Sequence, residues 1–337
     1  MEVINGNKIY ERINDKDDVL YILLAGTTKI STINGISAAG ESPELTKLTP
    51  VLDSEIIYSG KCLSYNVIPM TSNGIPTPAI ITRASNEISK INTLIIDSGL
   101  MEYPKIPFLY TGLKEAKKFS EETALKNYEN AVNYGEYIGK LIDNTYKYIF
   151  IAESVPGGTT TAYAVLKALG YDYMTSSSLK DNPGIIKNDL VEKAFKRIRL
   201  NRNDYNNIIK EYGDYMMALS IGISRNVKKS NIIYSGGTQM ANVYLLDKLI
   251  NRSKNRYVFT TKYIMNDDHN LMKNIVNDNV MYSNTDFSGI NGLKYYENGY
   301  VKEGTGFGAT FGLSYIFSED ENMIYDNIKR VYNSFLN

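Results

Sequence analysis

Residues 148–170 read YIFIAESVPGGTTTAYAVLKALG. An apolar run ends in Glu153, crosses Val155-Pro156-Gly157-Gly158, meets Thr159, Thr160 and Thr161, and becomes an alanine-rich helical pattern. An acid, two glycines and three hydroxyls are thus packed between a predicted strand and a predicted helix. Four further runs share the apolar character: VLYILLAG (19–26), TLIIDSG (93–99), NIIYSGG (231–237) and YVFTT (257–261). Continuous hydrophobic strands without alternation are those buried on both faces, as in a parallel sheet. Helical patterns lie between them, in DLVEKAFKRIRL, DYNNIIKEYGDYMMALSIGI, ANVYLLDKLIN and the tail SEDENMIYDNIKRVYNSFL. In SEETALKNYENAVNYGEYIGKLID, Ser120 is the expected N-cap, with Glu121 and Glu122 in the first turn, although Thr123 rules out a reciprocal capping box. Strands alternating with helices predict an α/β class, a mostly parallel sheet flanked by helices.

The totals narrow the function classes. A chain of 337 residues is long enough to bury a sizeable core. Lysine plus arginine equals aspartate plus glutamate at 37 each, so no charge excess points to nucleic acid or an anionic membrane. No apolar stretch reaches the roughly 18–20 residues of a spanning helix, and the N-terminus has no signal-peptide core, so a cytoplasmic location is expected. The single cysteine, Cys62, excludes an intrachain disulfide framework and reads as packing. The one histidine, His269, stands beside Asp267 and Asp268 and reads as a helix start; no metal site is expected. Tyrosine is abundant (28) and tryptophan absent, a compositional bias rather than a recognition surface. The Gly-, Ser-, Thr- and Pro-rich connection over 26–50 is too long for a simple linker and is expected to cover a site.

Three junctions put small residues where a loop should meet a helix: ESVPGGTTTA (153–162), SGGTQMA (235–241) and KEGTGFGAT (302–310). In an open parallel sheet, ligands bind beyond the carboxyl ends of the strands, and helix N-termini there favour an anion. Ordinary turn and capping chemistry explains each junction equally well alone; their recurrence on one sheet edge is what suggests a phosphate site. None has the spacing G-x-x-x-x-G-K-[ST], and the missing lysine favours a monophosphate over a nucleoside triphosphate. Glu153 and Glu303 are acids inside these junctions, fit for proton acceptance if burial raises their pKa. No Ser-His-Asp arrangement or G-x-S-x-G elbow is present.

These residues carry a resemblance. The run ILLAGTTKISTINGISAAGESPELTKLTPVLDSEIIYSG, with IAESVPGGTTTA and EGTGFGA, resembles the archaeal branch of the nicotinate-nucleotide–dimethylbenzimidazole phosphoribosyltransferases over nearly the whole chain. The resemblance implies a Rossmann-like sheet with a smaller helical lobe, a single catalytic unit over 1–337, with the α/β core at roughly 18–263 and the lobe drawn from the N-terminal segment and parts of 264–337. It also implies a homodimer, no cofactor and no metal. The implied reaction passes the ribose phosphate of nicotinate mononucleotide to a benzimidazole-type base, forming an α-ribotide for the lower ligand of cobamides. By motif match, Glu303 is the implied general base. Glu153, Gly157, Gly158, Thr159, Thr160, Gly236, Gly237, Gly304, Thr305 and Gly306 are the implied substrate contacts. Lys193, in Leu190-Val191-Glu192-Lys193-Ala194, is the implied phosphate lysine. Pro156-Gly157-Gly158 departs from the bacterial Gly-x-x-Asn pattern, so an asparagine contact is missing. The acceptor stays open among dimethylbenzimidazole, a simpler benzimidazole and adenine. Other readings of the same residues are a non-catalytic mononucleotide-binding protein and another ribosyltransferase on this scaffold.

Overall fold

A computed structural model describes residues 2–40, 42–71, 73–267 and 271–336; His269 and Asp268 lie outside the described residues. The strands are β1 (Ile4–Gly6), β2 (Val19–Ala25), β3 (Asn92–Asp97), β4 (Tyr148–Ser154), β5 (Asn231–Ser235), β6 (Arg256–Thr261) and β7 (Val280–Ser283). The first six α-helices are α1 (Pro43–Thr46), α2 (Thr49–Ser59), α3 (Ala79–Ser89), α4 (Tyr128–Ile142), α5 (Gly158–Ala168) and α6 (Gly184–Arg197). Then follow α7 (Tyr205–Tyr212), α8 (Tyr215–Asn226), α9 (Thr238–Ile250), α10 (Lys262–Met265), α11 (Phe307–Ser318) and α12 (Glu321–Ser334).

All seven strands form one sheet in the order β1-β7-β6-β5-β4-β2-β3. Every pair is parallel except β1–β7. The fold is therefore α/β and Rossmann-like, and the five apolar runs read from the sequence are its β2 to β6. Side-chain alternation explains why those runs are apolar throughout. Leu20, Ile22 and Leu24 of β2 enter one core with residues of α4, α5, α8 and α9. Val19, Tyr21 and Leu23 enter the other, with residues of α2, α3, α11 and α12. β2 is thus sandwiched between helices, and neither face is left for polar residues. The residues expected to form a smaller helical lobe supply β1 and β7 to the sheet and α11 and α12 to one of its faces.

Helices α4 and α8 cross at close range. A Cβ at Gly135, Gly139 or Gly222 would stand 2.3 Å, 2.3 Å and 2.2 Å from carbonyl oxygens of the opposing helix. The expected helix start at Ser120 is corrected: α4 begins at Tyr128 behind Asn127. Tertiary contacts outcompete the local signal there. Phe119 and Leu125 are fully buried, Leu125 N donates to Lys210 O, and Arg197 donates to the carbonyl of Phe119. Likewise DYNNIIKEYGDYMMALSIGI is two helices, because Asp214 accepts from Met217 N and starts α8 afresh.

The chain runs from β2 outward to β3, then crosses back to β4 on the other side of β2. That reversal between β2 and β4 is the switch point at which open α/β sheets bind ligands. In register, Leu24 lies opposite Glu153 and Ala25 opposite Ser154, so the first acidic junction sits at the carboxyl edge of the switch.

Candidate active site

Beyond that edge lies a cleft of about 890 Å³. Several helices begin at its wall, α5, α9 and α11 among them. Gly157, Gly158 and Thr159 open α5, Gly237, Thr238 and Gln239 open α9, and Gly304 and Thr305 precede α11. Gly157 takes φ +82°, the left-handed region that glycine enters without cost. The lining also includes Pro69, Met70, Ile75, Pro76 and Pro78, an apolar strap, and Ser37 to Gly40 of the long polar connection. That connection does cover the site, as expected. A loop of three serines, Ser176 to Ser178, completes the lining.

Among the described residues, three carboxyl groups line the cleft: Asp53, Glu153 and Glu303. Among the described residues that line it there is no lysine or arginine. Glu303 Oε1 accepts from Gly308 N at 2.9 Å and Oε2 accepts from Gly304 N. Burial nevertheless pushes Glu303 up to about 8, against those backbone donors and with the help of the Glu153 charge. Glu153 Oε2 accepts from Val155 N at 2.8 Å, and burial raises this acid to about 7. Asp53 accepts from Thr77 Oγ1 at 2.6 Å and Ser154 Oγ at 2.7 Å, and burial lifts it to about 6. These are acids that exchange protons near neutrality, the property a general base requires.

The loop carrying Glu303 is tied on every side. Val301 N donates to Ser178 O at 3.0 Å, Thr261 Oγ1 to Lys302 O at 2.7 Å, and Thr305 N to Glu153 O at 3.0 Å. Tyr21 Oη donates to Thr305 O at 2.7 Å, and the Thr82 and Thr305 hydroxyls meet at 2.8 Å. Val301, Lys302 and Thr305 all hold positive φ, at 62°, 58° and 52°. Non-glycine residues in that region are strained and persist where surrounding contacts over-determine them.

The cleft brings together Glu153, Gly157, Gly158, Thr159, Gly237, Glu303, Gly304 and Thr305 of the residues singled out in the sequence. Thr160, Gly236 and Gly306 lie beside it but do not line it. Thr161 spends its hydroxyl on Asp214 at 2.6 Å. Lys193 is not brought to the cleft. Its side chain is 60% exposed and its ammonium pairs with Asp189 at 2.7 Å, one turn back on α6. Sequence reasoning missed Asp53, the serine loop and the strap. Asp53 is an acid inside a helix whose residues 49–57 are all buried, a surrounding visible only in the fold.

The chain was compared with known proteins, and no family model matches it. It is 46% identical over 323 residues to the UPF0284 protein TV0153 of Thermoplasma volcanium, covering 95% of each chain. It is 37% identical over 338 residues to the UPF0284 protein Ta0078 of Thermoplasma acidophilum, covering 99% of this chain and 98% of that one. A UPF0284 protein of Sulfolobus acidocaldarius is 36% identical over 352 residues, with 100% and 99% covered. Among solved structures, CobT from Thermus thermophilus superposes with a TM-score of 0.62 at 12% identity, over 91% of this chain and 83% of that one. A nicotinate-nucleotide-dimethylbenzimidazole phosphoribosyltransferase structure from the same organism gives 0.61 at 12% identity, over 91% and 82%. The relatives by sequence are archaeal UPF0284 proteins, and the fold is that of the two Thermus thermophilus structures.

Proposed function

The chain belongs to the UPF0284 family, and from that premise we propose that it is a phosphoribosyltransferase of cobamide lower-ligand synthesis. It moves the ribose 5-phosphate of nicotinate mononucleotide to a benzimidazole-type base, giving an α-ribotide and nicotinate. The observation that carries this reading is Glu303, a half-buried carboxyl in a cleft lined by the starts of α5 and α9 and by an apolar strap.

The chemistry asks little of acid catalysis. The donor ring is already a pyridinium, so the C1′–N bond breaks with its electron pair returning to the ring nitrogen, and nicotinate leaves. The acceptor, by contrast, must lose its N–H proton as its other nitrogen attacks C1′ from the opposite face. Glu303 takes that proton. Before the donor binds, this acid is largely protonated near neutrality. The form that accepts the proton is the carboxylate, whose share grows as pH rises. The donor phosphate rests against Gly157, Gly158 and Thr159 at the start of α5, where backbone dipoles favour an anion. The strap of Pro76, Pro78, Ile75 and Met70 provides the flat apolar slot for the acceptor. Glu153 holds the ribose hydroxyls, and positioning of two substrates supplies much of the acceleration. A homodimer acting in the cytoplasm as one catalytic unit belongs to the same reading; among the described residues no helix is long and apolar enough to cross a membrane.

Purified protein incubated with nicotinate mononucleotide and dimethylbenzimidazole is expected to release nicotinate and form the α-ribotide. Absence of product with dimethylbenzimidazole, benzimidazole and adenine alike would sink the activity. One observation favours the runner-up, a mononucleotide-binding protein without turnover: both oxygens of Glu303 accept backbone N–H groups at the start of α11, a purely structural use of the acid. Saturable binding of nicotinate mononucleotide with no release of nicotinate would select that alternative.

A further inference from the structure

Among the described residues Lys187 is the one lysine with no exposed surface, and it sits on α6, six residues before Lys193. Its ammonium donates to Ser176 O at 2.9 Å, Thr175 O at 3.1 Å and Thr175 Oγ1 at 3.2 Å. Thr175 O also accepts from Asn182 Nδ2 at 2.7 Å, and Thr175 Oγ1 donates to Thr159 O at 2.6 Å at the start of α5. The lysine therefore grips the backbone of the serine loop from behind.

That grip fixes which way the loop faces. In a trans peptide, C=O and N–H point in opposite directions. With the carbonyls of Thr175 and Ser176 turned to Lys187, the N–H groups of Ser176 and Ser177 must turn away from it. For Ser176 the consequence is visible, because its N–H donates to Thr238 Oγ1 at 3.0 Å, at the cleft-lining start of α9. The Ser176 hydroxyl meets the same oxygen at 2.8 Å. Ser177 and Ser178 line the cleft beside it.

Resting on the reading above, we propose that Lys187 is the positioning residue of an oxyanion cradle, in which the Thr175–Ser178 loop presents N–H and hydroxyl donors to the donor nucleotide. It supplies the positive charge missing from the lining, one layer behind it. A second, half-buried cation, Lys302, lies close enough to oppose it electrostatically and is itself paired with Asp267 at 3.2 Å. Burial, and after it Lys302, draw Lys187 down to about 7, while Asp267 pulls the other way. An oxyanion in front of the loop draws the proton back, so the cradle tightens on what it binds. The oxyanion is the phosphate or the ring carboxylate of the donor, and the test separates them.

The test is Lys187→Met, nearly isosteric and uncharged, beside Lys193→Met. For Lys187→Met the KM for nicotinate mononucleotide and its calorimetric Kd should rise about tenfold or more, as expected for losing hydrogen bonds from a charged group. The acceptor KM and kcat should stay within about twofold. Lys193→Met should keep wild-type values. Calorimetry with inorganic phosphate and with nicotinate as separate probes assigns the source: whichever loses affinity in Lys187→Met is the group held. A folded Lys187→Met with unchanged donor affinity, or a loss confined to Lys193→Met, overturns the proposal. If Lys187→Met does not fold, hydrogen exchange on the wild type decides. Slower exchange over residues 175–178 on adding nicotinate mononucleotide supports the cradle, and unchanged exchange overturns it. Wild-type protein that binds phosphate through Lys187 yet never releases nicotinate would defeat the proposed activity and leave the cradle standing.

Discussion

Two loops deliver an acid to the same cleft, and they are built in opposite ways. Glu153 is the penultimate residue of β4, locked by its register against Leu24, and the turn that follows uses Gly157 for its left-handed residue. Glu303 stands on a loop where Val301, Lys302 and Thr305 occupy that same backbone region without being glycine. Such residues cost on the order of 1–3 kcal/mol each. The first loop is relaxed and presents amides and a carboxyl at a sheet end. The second is held in place by Tyr21, Thr82, Thr261 and Ser178 around it. A fold tolerates strain where the position of one group matters more than the stability of its support, and here that group is Glu303.

The largest effect should come from removing that group. Glu303→Gln is expected to lower kcat by roughly 10²–10⁴-fold while nicotinate mononucleotide still binds by calorimetry. Glu153→Gln should cost far less, and equal losses from the two variants would erase the contrast between the loops. The relaxed turn breaks differently. In Gly157→Ala the new Cβ would lie 2.6 Å from Thr28 Oγ1 and 3.0 Å from Ser31 N, on a backbone at φ +82°. A loss of about 1–3 kcal/mol in denaturant unfolding and a higher donor KM should follow, with kcat little changed. A loss of kcat without either change would mean that the turn does more than hold the donor.

A further contrast lies in pH. Glu303 is raised from the ordinary carboxyl range to about 8. Its folded form therefore keeps a proton that the unfolded chain gives up near pH 4.3. The stability it contributes is complete below that pH and is lost as pH rises through about 8. The melting-temperature gap between Glu303→Gln and wild type should thus shift in favour of the variant between pH 5 and pH 8. Catalysis moves the other way, since kcat/KM reports the free enzyme and needs the carboxylate, so it should climb with pH toward 8. A melting gap indifferent to pH would mean that Glu303 is ionised in the fold throughout.

Much of this fold was legible because its central strands are covered on both faces, which leaves continuous apolar runs as their mark. The two strands at the β1 end of the sheet were not: Ile4–Gly6 and Val280–Ser283 are too short to stand out from loop sequence. The start of α4 was misread because a good capping residue at Ser120 says nothing about Phe119, which the core claims. In the candidate site, the glycine-flanked acids could be found from their motifs. The lysine could not be found by motif alignment, which selected Lys193. Periodicity held the better clue, since Lys187, Leu190, Val191 and Ala194 follow i, i+3, i+4, i+7 and form the buried stripe of α6. A charged residue on an apolar stripe has to be paired inside the fold.

The antiparallel pairing of β1 with β7 bears on how the chain is made. Ile4 lies opposite Ser283, so β1 is made before every other strand of this sheet and is the last of them to find its partner. At about 5–20 residues per second it waits on the order of ten seconds to a minute. The parallel strands β2 to β6 can assemble in that interval with the N-terminal segment still unpaired. Its arrival then covers the outer edge of β7, converting an open, adhesive border into a closed one. A chain shortened by its first few residues would keep the cleft and expose that border to the edge of a neighbouring molecule.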